Sequence, residues 1–91
     1  MSKYSLSALV KALLSPSKED IWAKAHYSDP KNERRGFRKD DHGNWIHREQ
    51  YGNRDHEYGW EFDHEYPSSL GGHSGLTNIR PLHWKANVFC L

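Results

Sequence analysis

A chain of 91 residues is long enough for one small domain, or for one domain with a short extra arm. Only 35% of the residues are hydrophobic, and no apolar run approaches the roughly 18 residues of a membrane-spanning helix. The single cysteine, Cys90, excludes a disulfide within the chain and a four-cysteine zinc site. The net charge of +1 conceals two unlike parts: residues 1–40 carry nine Lys and Arg against five acids, whereas residues 41–91 carry four against seven.

The first predicted element is an amphipathic helix. Its aliphatic residues between Leu6 and Leu14 recur at the spacing of one helical face, with Ser5 as the expected N-cap and Ser15-Pro16 as the stop. We interpret this apolar stripe as core or dimer packing. Because Lys11 interrupts the stretch, which lacks a basic leader and a small-residue cleavage site, we do not expect a signal peptide.

A second helix is predicted to begin at Ser17. Ser17 and Asp20 have the spacing of a capping box, and the helix is expected to continue through residues 21–25 before Asp29-Pro30 ends it. Glycines then punctuate residues 34–59, where we predict a loose hairpin that pairs residues 37–39 with 45–47.

The last third of the chain has the most regular pattern. It predicts a strand that ends near His64, a loop at Gly71-Gly72, an extended segment from Asn78 to Leu82 and a helix from about His83 to the chain end. With so few aliphatic residues, aromatic side chains must supply much of the core. We expect that role for Trp45, Trp60, Tyr66 and Trp84.

Three Asp-His dipeptides occur, at residues 41–42, 55–56 and 63–64. Such a pair at the end of a strand can place a carboxylate on a metal ion while the imidazole faces a water. Only the third pair is followed by an asparagine fourteen residues later, Asn78, and by another nine residues beyond it, Asn87. We interpret the first two pairs as features of a polar surface.

The last third resembles the HNH endonuclease family, also called His-Me finger or ββα-metal nucleases, in its small bacterial and phage form. The resemblance is carried by WEFDHEYP at 60–67, Gly71-Gly72, LTNIRPL at 76–82 and WKAN at 84–87. It implies an α+β fold in which a small ββα-metal core is preceded by two short helices. The corresponding division is a helical arm at 1–28 and a nuclease domain at 29–91, with the motif at 60–91.

The resemblance also implies a role for each motif residue. His64 matches the general base that takes a proton from the attacking water, a task that suits an imidazole with an unperturbed pKa of about 6.5. Asp63 and Asn87 match the metal ligands, and Asn78 matches the asparagine that braces the loop and holds the histidine. Two oxygen ligands favour Mg²⁺ or Mn²⁺. His83 lies four residues before Asn87 and is a candidate third ligand, which would shift the preference toward another divalent transition metal.

Nucleic-acid contacts are expected from basic residues and one loop histidine. Arg80 can steady a phosphate, or can form a salt bridge with Glu61 or Glu65 instead. The other candidates are His73, Lys85, Arg34, Arg35, Arg38 and Lys39.

A structural zinc site is a competing interpretation of the histidines. His42, His47 and His56 with Asp41 or Asp55 contain the necessary ligand types, but they lack the short paired spacing of zinc fingers. Relatives that hold zinc with two CxxC pairs have cysteines where this chain has His83 and Ala86, so we do not expect that zinc.

The expected function is therefore a metal-dependent endonuclease that acts on DNA, most naturally double-stranded, in the cytoplasm and without a membrane. The alternative from another class is an HNH-fold nucleic-acid-binding or inhibitor protein without turnover. A toxin-like nuclease domain neutralised by a protein partner is a third interpretation. The apolar chain end from Val88 to Leu91 is expected to pack back on the domain or to lie in a homodimer interface.

Overall fold

The computed structural model describes residues 5–89, so Cys90 and the last residue of the predicted C-terminal helix lie outside the described residues. The described part is a small mixed α+β fold with four α-helices and two antiparallel sheets of two strands each. The elements in chain order are α1 (Leu6–Leu14), α2 (Lys18–Trp22), α3 (Pro30–Arg34), β1 (Phe37–Lys39), β2 (Trp45–His47), β3 (Trp60–His64), β4 (Ile79–His83) and α4 (Trp84–Phe89). None of the helices described here is long and apolar enough to cross a membrane.

Helix α1 has the predicted boundaries, but its apolar stripe does not enter the core. The Ser5 hydroxyl accepts a hydrogen bond from the Ala8 amide at 3.2 Å, as an N-cap does. No residue of α1 is buried, and Leu6 is 78% exposed. The expectation of core packing is therefore wrong, because the periodicity shows that a helix is amphipathic and not that a partner surface lies opposite.

Helix α2 carries core residues into the fold. The predicted capping box is present, with Ser17 N donating to Asp20 Oδ2 at 2.9 Å and Asp20 N donating to Ser17 Oγ at 3.2 Å. The helix ends at Trp22, earlier than predicted, and buries Ile21 and Trp22. Directly after it, the Lys24 ammonium donates to the Leu76 carbonyl at 2.6 Å, which fastens this segment to the C-terminal part of the chain.

The third helix was not predicted. Asp29-Pro30 begins α3, because the Asp29 carboxylate accepts from the Asn32 amide at 2.8 Å and Pro30 occupies the first helical turn. The Asp-Pro pair predicted to end the second helix is instead the start of a third. Three helices therefore precede β1, and the prediction of two was wrong on this point.

The predicted hairpin is confirmed as the antiparallel pair of β1 and β2, with Phe37 opposite His47 and Lys39 opposite Trp45. Asp40 is buried in its turn and accepts from the Asn44 amide at 2.8 Å. The second carboxylate oxygen of Asp40 accepts from the His83 amide at 2.9 Å. This one buried side chain thus connects the hairpin turn to the end of β4.

Strands β3 and β4 form the second sheet, in which Asp63 is opposite Arg80 and Trp60 is opposite His83. Helix α4 follows β4 without a break, so two antiparallel strands and a helix are consecutive in the chain apart from the loop at 65–78. The side chains that make up the core cluster come from both sides of residue 28: Ile21, Trp22, Ala25, Ile46, Trp60 and Ile79.

The aromatic contribution to the core is smaller than predicted. Trp60 is fully buried, and its ring centroid lies 5.2 Å from that of Trp22. Trp45 and Trp84 are only half-buried, and Tyr66 is 56% exposed, so its assignment to the core was wrong. Tyr66 lies in a loop that is held by its backbone rather than by its ring.

The expectation that the apolar chain end packs back on the domain is not met in its described part. Val88 and Phe89 are both exposed, while the side chain of Ala86 on the same helix is buried. Helix α4 thus buries the small side chain of Ala86 and leaves Val88 and Phe89 uncovered.

Candidate metal and nucleic-acid site

The end of β3 places two carboxylates on one face of the strand. Because side chains alternate along a strand, Glu61 and Asp63 point to the same side and His64 points to the other. The Cα atoms of Glu61 and Asp63 are about 7 Å apart, two residues along an extended strand. Asp63 Oδ2 accepts from Arg80 Nε at 2.8 Å, across the β3–β4 pair. The second oxygen, Oδ1, makes no hydrogen bond within residues 5–89, so Asp63 retains one carboxylate oxygen that a metal ion could use as a ligand.

Arg80 bridges two carboxylates from different parts of the chain. Besides Asp63, its Nη1 contacts Oδ2 of Asp41 in the hairpin turn at 3.3 Å. Desolvation disfavours the charged guanidinium, but its two acidic partners outweigh that effect and raise the pKa of Arg80. Arg80 does form a salt bridge, as one of the two interpretations of this residue holds, but the expected partners, Glu61 and Glu65, were wrong.

Asp41 also binds a histidine. His26 Nε2 lies 2.6 Å from Asp41 Oδ1, next to the Arg80 contact on the other oxygen. Burial opposes ionisation of Asp41, but the hydrogen bonds from His26 and Arg80 prevail and hold the pKa of its carboxyl below the ordinary value. The first Asp-His dipeptide is therefore more than a feature of a polar surface, because it supplies one member of an ion-pair network that reaches Asp63.

Asn78 closes the loop between β3 and β4. Its Oδ1 accepts from the Tyr66 amide at 2.9 Å, and its Nδ2 donates to the carbonyls of Tyr66 at 3.0 Å and His73 at 2.7 Å. The side chain is buried, so these three hydrogen bonds are shielded from water. Within the loop, a Cβ atom at Gly72 would collide with the Tyr66 carbonyl, which explains why glycine stands there.

His64 lies at the mouth of this loop. Its Nε2 is 2.9 Å from the Ser74 hydroxyl, and the imidazole is partly exposed. Within the described residues it makes no hydrogen bond to Asp63. His73 is exposed, and its two ring nitrogens contact the Gly75 amide at 3.0 Å and the Thr77 hydroxyl at 3.4 Å, so it also shapes the loop.

Asn87 faces β3 from helix α4. Its Nδ2 donates to Glu61 Oε1 at 2.9 Å, while its Oδ1 has no hydrogen-bond partner in the described part of the chain. Glu61 in turn pairs with Arg54 through both carboxylate oxygens. The hydrogen bond from Arg54 is the main reason that the pKa of Glu61 lies below its ordinary value, despite partial burial.

His83, the candidate third ligand, has both ring nitrogens in contact with the backbone. Nε2 lies 2.6 Å from the Glu57 carbonyl, and Nδ1 accepts from the Lys85 amide at 3.1 Å. The side chain is buried at the start of α4. In this conformation His83 offers no free nitrogen to a metal ion, and its role is to connect α4 to the loop before β3.

The basic candidates differ in how free their charges are. Arg34, Arg35 and Lys85 are exposed, whereas the Lys39 ammonium lies over the Trp45 ring at 4.7 Å. Arg38 is committed to the fold, because its guanidinium donates to both oxygens of Glu33 at 2.9 and 2.7 Å. It is therefore not available to a phosphate in this conformation.

No protein-family model, no curated protein and no solved structure matches the chain. The residues and their geometry are therefore the basis on which a function is proposed.

The donor set fits a hard divalent cation. Asp63 and Asn87 each carry a side-chain oxygen without a hydrogen-bond partner in the described part of the chain; Asp63 follows Glu61 by two residues on β3, and Asn87 donates to Glu61. No group of three or more His, Cys, Asp or Glu side chains that could hold a metal ion occurs within residues 5–89. A cation at Asp63 and Asn87 would therefore need waters or phosphate oxygens to complete its coordination, as Mg²⁺ commonly does. The histidines of the competing zinc interpretation form no such group either.

Sequence reasoning assigned no role at this site to three acidic residues of the region: Asp40 was not singled out, Asp41 was named only as a surface residue or a zinc partner, and Glu61 only as a partner of Arg80. Asp40 could have been found, because an Asp that precedes an Asp-His-Gly-Asn turn is typical of a carboxylate that accepts hydrogen bonds from the turn amides. Asp41 and Glu61 carried no comparable signal. Their partners, Arg80 and Asn87, are 39 and 26 residues away in the chain.

Proposed function

We propose that this chain is a metal-dependent endonuclease that hydrolyses phosphodiester bonds in DNA, built on an HNH-like ββα-metal core. The single observation that carries the proposal is the buried Asn78 side chain, which closes the loop after His64 with three hydrogen bonds. The resemblance to the HNH family assigns this bracing role to Asn78. A buried asparagine that joins both ends of the loop supports that assignment independently of the motif spacing.

The proposed roles follow the chemistry of each group. His64 accepts a proton from a water molecule, whose oxygen attacks the phosphorus of a phosphodiester. The bond from phosphorus to the 3′ oxygen breaks, and that oxygen leaves and takes up a proton, so that the products carry a 5′-phosphate and a 3′-hydroxyl. Asp63 and Asn87 hold the cation with their free oxygens. When bound, a divalent cation supplies positive charge to the phosphate and the leaving oxygen.

His64 requires a small rearrangement for this role. Its Nε2 contacts the Ser74 hydroxyl, which is a neutral and exposed partner that a water molecule can replace. Asn78 fixes the backbone of residues 66 and 73, so the loop that carries Ser74 keeps its position while the imidazole is freed. The exposed Arg34, Arg35 and Lys85 are the basic residues best able to contact the DNA backbone.

A plasmid-nicking assay tests the proposal. Supercoiled DNA is incubated with the chain in Mg²⁺ or Mn²⁺, and we expect His64→Ala to lower the cleavage rate by about 100-fold or more, because general-base catalysis contributes that much. His42→Ala is the matched control, since it removes an exposed histidine from another Asp-His pair. Equal cleavage by His64→Ala and the unmodified chain, with DNA binding retained by both, would contradict the role of His64.

A second function, nucleic-acid binding without turnover, is favoured by one specific observation. Arg80 occupies an oxygen of Asp63, the residue that the endonuclease needs for its cation. In a binding protein this ion pair would simply neutralise a carboxylate near the phosphates. This function predicts DNA binding that persists in EDTA, with no strand scission in any divalent ion.

A further inference from the structure

One side-chain hydrogen bond joins helix α4 to strand β3. The chemistry of its two partners, an amide and a carboxylate, determines which atom donates and which accepts. Asn87 Nδ2 lies 2.9 Å from Glu61 Oε1, and Arg54 Nη2 lies 2.9 Å from the same oxygen. The side chain of Glu61 is only 15% exposed, so it is held between the other two.

The carboxylate leaves the amide of Asn87 only one orientation. An ionised carboxylate accepts hydrogen bonds and donates none, so the atom of Asn87 that faces Glu61 must be the nitrogen. The amide oxygen then points away from Glu61. An asparagine without such a partner can turn its amide by half a rotation and present its NH₂ group instead, which cannot ligate a cation.

We propose that Glu61 is a positioning residue that keeps the oxygen of Asn87, rather than its nitrogen, directed toward the cation. This inference rests on the proposed function, because it requires Asn87 to be a ligand. Glu61 acts through the Asn87 amide, and Arg54 holds Glu61 in place from the opposite side.

The surroundings of Glu61 suit this role better than direct ligation. All of its named contacts are donors: Arg54 on both oxygens and Asn87 on one. Asp63, two residues along the same face of β3, has one oxygen without a hydrogen bond in the described part of the chain, and is the more available carboxylate. Asp63 is therefore the ligand of the two acids, and Glu61 orients Asn87.

The first test measures Mn²⁺ binding by isothermal titration calorimetry in the absence of DNA. In Glu61→Gln the new amide can donate to Asn87 Oδ1 as readily as it accepts from Nδ2, so the orientation of Asn87 is lost. We expect about a 10-fold loss of Mn²⁺ affinity, the lower end of the range for removing a group that orients a ligand. Glu49→Gln is the matched control, because it makes the same change at an exposed carboxylate whose ion pair is with Arg48 and leaves the Glu61–Asn87 hydrogen bond intact; it should not weaken Mn²⁺ binding.

A second pair of variants separates orientation from ligation. In Asn87→Asp both ends of the side chain are oxygens, so orientation no longer matters, and the amide introduced by Glu61→Gln can donate to the new carboxylate. We therefore expect Glu61→Gln to leave Mn²⁺ affinity unchanged or increased in the Asn87→Asp background. A 10-fold loss in that background as well would overturn the positioning role and make Glu61 a ligand. Circular dichroism melts of each variant establish that it is folded.

The outcomes distinguish this inference from the proposed function. Mn²⁺ binding that is equally tight in Glu61→Gln and the unmodified chain overturns the role of Glu61 and leaves the nuclease proposal standing. Absence of Mn²⁺ binding to the unmodified chain at millimolar concentration overturns both. Binding with the expected pattern but without DNA cleavage supports the role of Glu61 at the cation site and removes the nuclease activity alone.

Discussion

Asp41 joins two side chains that the chain order keeps apart, His26 and Arg80. His26 precedes the hairpin, Asp41 lies in its turn, and Arg80 lies on β4 beside Asp63. Each contact is partly exposed, so it contributes less to stability than a buried pair would. These contacts position the side chains instead. If the Asp63 carboxylate bound a cation, Arg80 would still have Asp41 as an acidic partner.

The lowered pKa of Asp41 predicts how stability depends on pH. The folded chain holds the pKa below the ordinary value of 3.8, so the unfolded chain binds the proton more readily. The resulting stabilisation is complete above about pH 5, and it is lost as the pH falls through the lowered folded pKa. Asp41→Asn should therefore lower the free energy of unfolding at pH 5 by less than about 1 kcal/mol, with a smaller difference toward pH 2.

Urea unfolding at several pH values between 5 and 2 measures this difference. Asp55→Asn is the control, because Asp55 is exposed and its carboxylate makes no hydrogen bond within the described residues. A gap between Asp41→Asn and the unmodified chain that widens as the pH falls would contradict the assigned sign.

The candidate site residues can be named from the sequence, but their hydrogen-bond partners cannot. The spacing of Asp63, His64, Asn78 and Asn87 identifies them within one short region of the chain. The partners of Asp63 and Asn87, by contrast, depend on which side chains of two strands and a helix meet after folding. Contacts between residues that are tens of positions apart follow no repeating pattern in a single sequence. For this reason the salt-bridge partners expected for Arg80 were wrong.

At the scale of elements, local hydrogen bonding decides where helices begin. Ser17 and Asp20 satisfy each other's backbone amides at the start of α2, and the Asp29 carboxylate accepts from the Asn32 amide at the start of α3. Such signals are contained within four residues, so the starts of α1 and α2 were predicted correctly. The prediction failed at Asp29-Pro30, where a dipeptide interpreted as the end of α2 is the start of α3, while α2 ends already at Trp22.

The capping box of α2 should contribute measurably to stability. Ser17→Ala removes the oxygen that accepts from the Asp20 amide, and N-cap replacements of this kind cost about 1 kcal/mol. The helix is only five residues long and carries Ile21 and Trp22 into the core, so it has few other contacts to compensate. Urea unfolding measures the loss, and Ser69→Ala, at an exposed serine of the 65–78 loop, is the matched control. Equal stability of the two variants would show that packing alone starts α2.

At the scale of the whole molecule, the core does not follow the boundary predicted at residue 28. Ile21, Trp22 and Ala25 pack in one cluster with Trp60 and Ile79. The predicted boundary follows the extent of the motif and the change in amino-acid composition along the chain. Neither of these shows which helices supply core residues. Helix α1, in contrast, leaves its apolar stripe exposed and is tied to the loop by a backbone hydrogen bond from Leu76 to Leu13 at 2.9 Å.

Two truncations test this division of the molecule. The fragment 16–91 loses α1 and that one backbone hydrogen bond, so its free energy of unfolding should fall by about 1 kcal/mol. The fragment 29–91 loses three buried core residues, of which Ile21 alone is worth about 2–5 kcal/mol on truncation to alanine, as well as the Lys24 ammonium that donates to the Leu76 carbonyl. The free energy of unfolding of a small domain is only about 5–15 kcal/mol in total, so we expect this fragment to be unfolded.

Circular dichroism and urea titration of both fragments provide the measurement. A sigmoidal transition for 16–91 and none for 29–91 would assign α2 to the same cooperative unit as the β3–β4 sheet. The position of Asp63 and His64 then depends on residues before 28, because Trp60 and Ile79, on the two strands of that sheet, pack against Trp22 and Ile21. A cooperative transition in 29–91 close to that of the full chain would contradict this, and would make residues 29–91 an independent domain that carries the candidate site by itself.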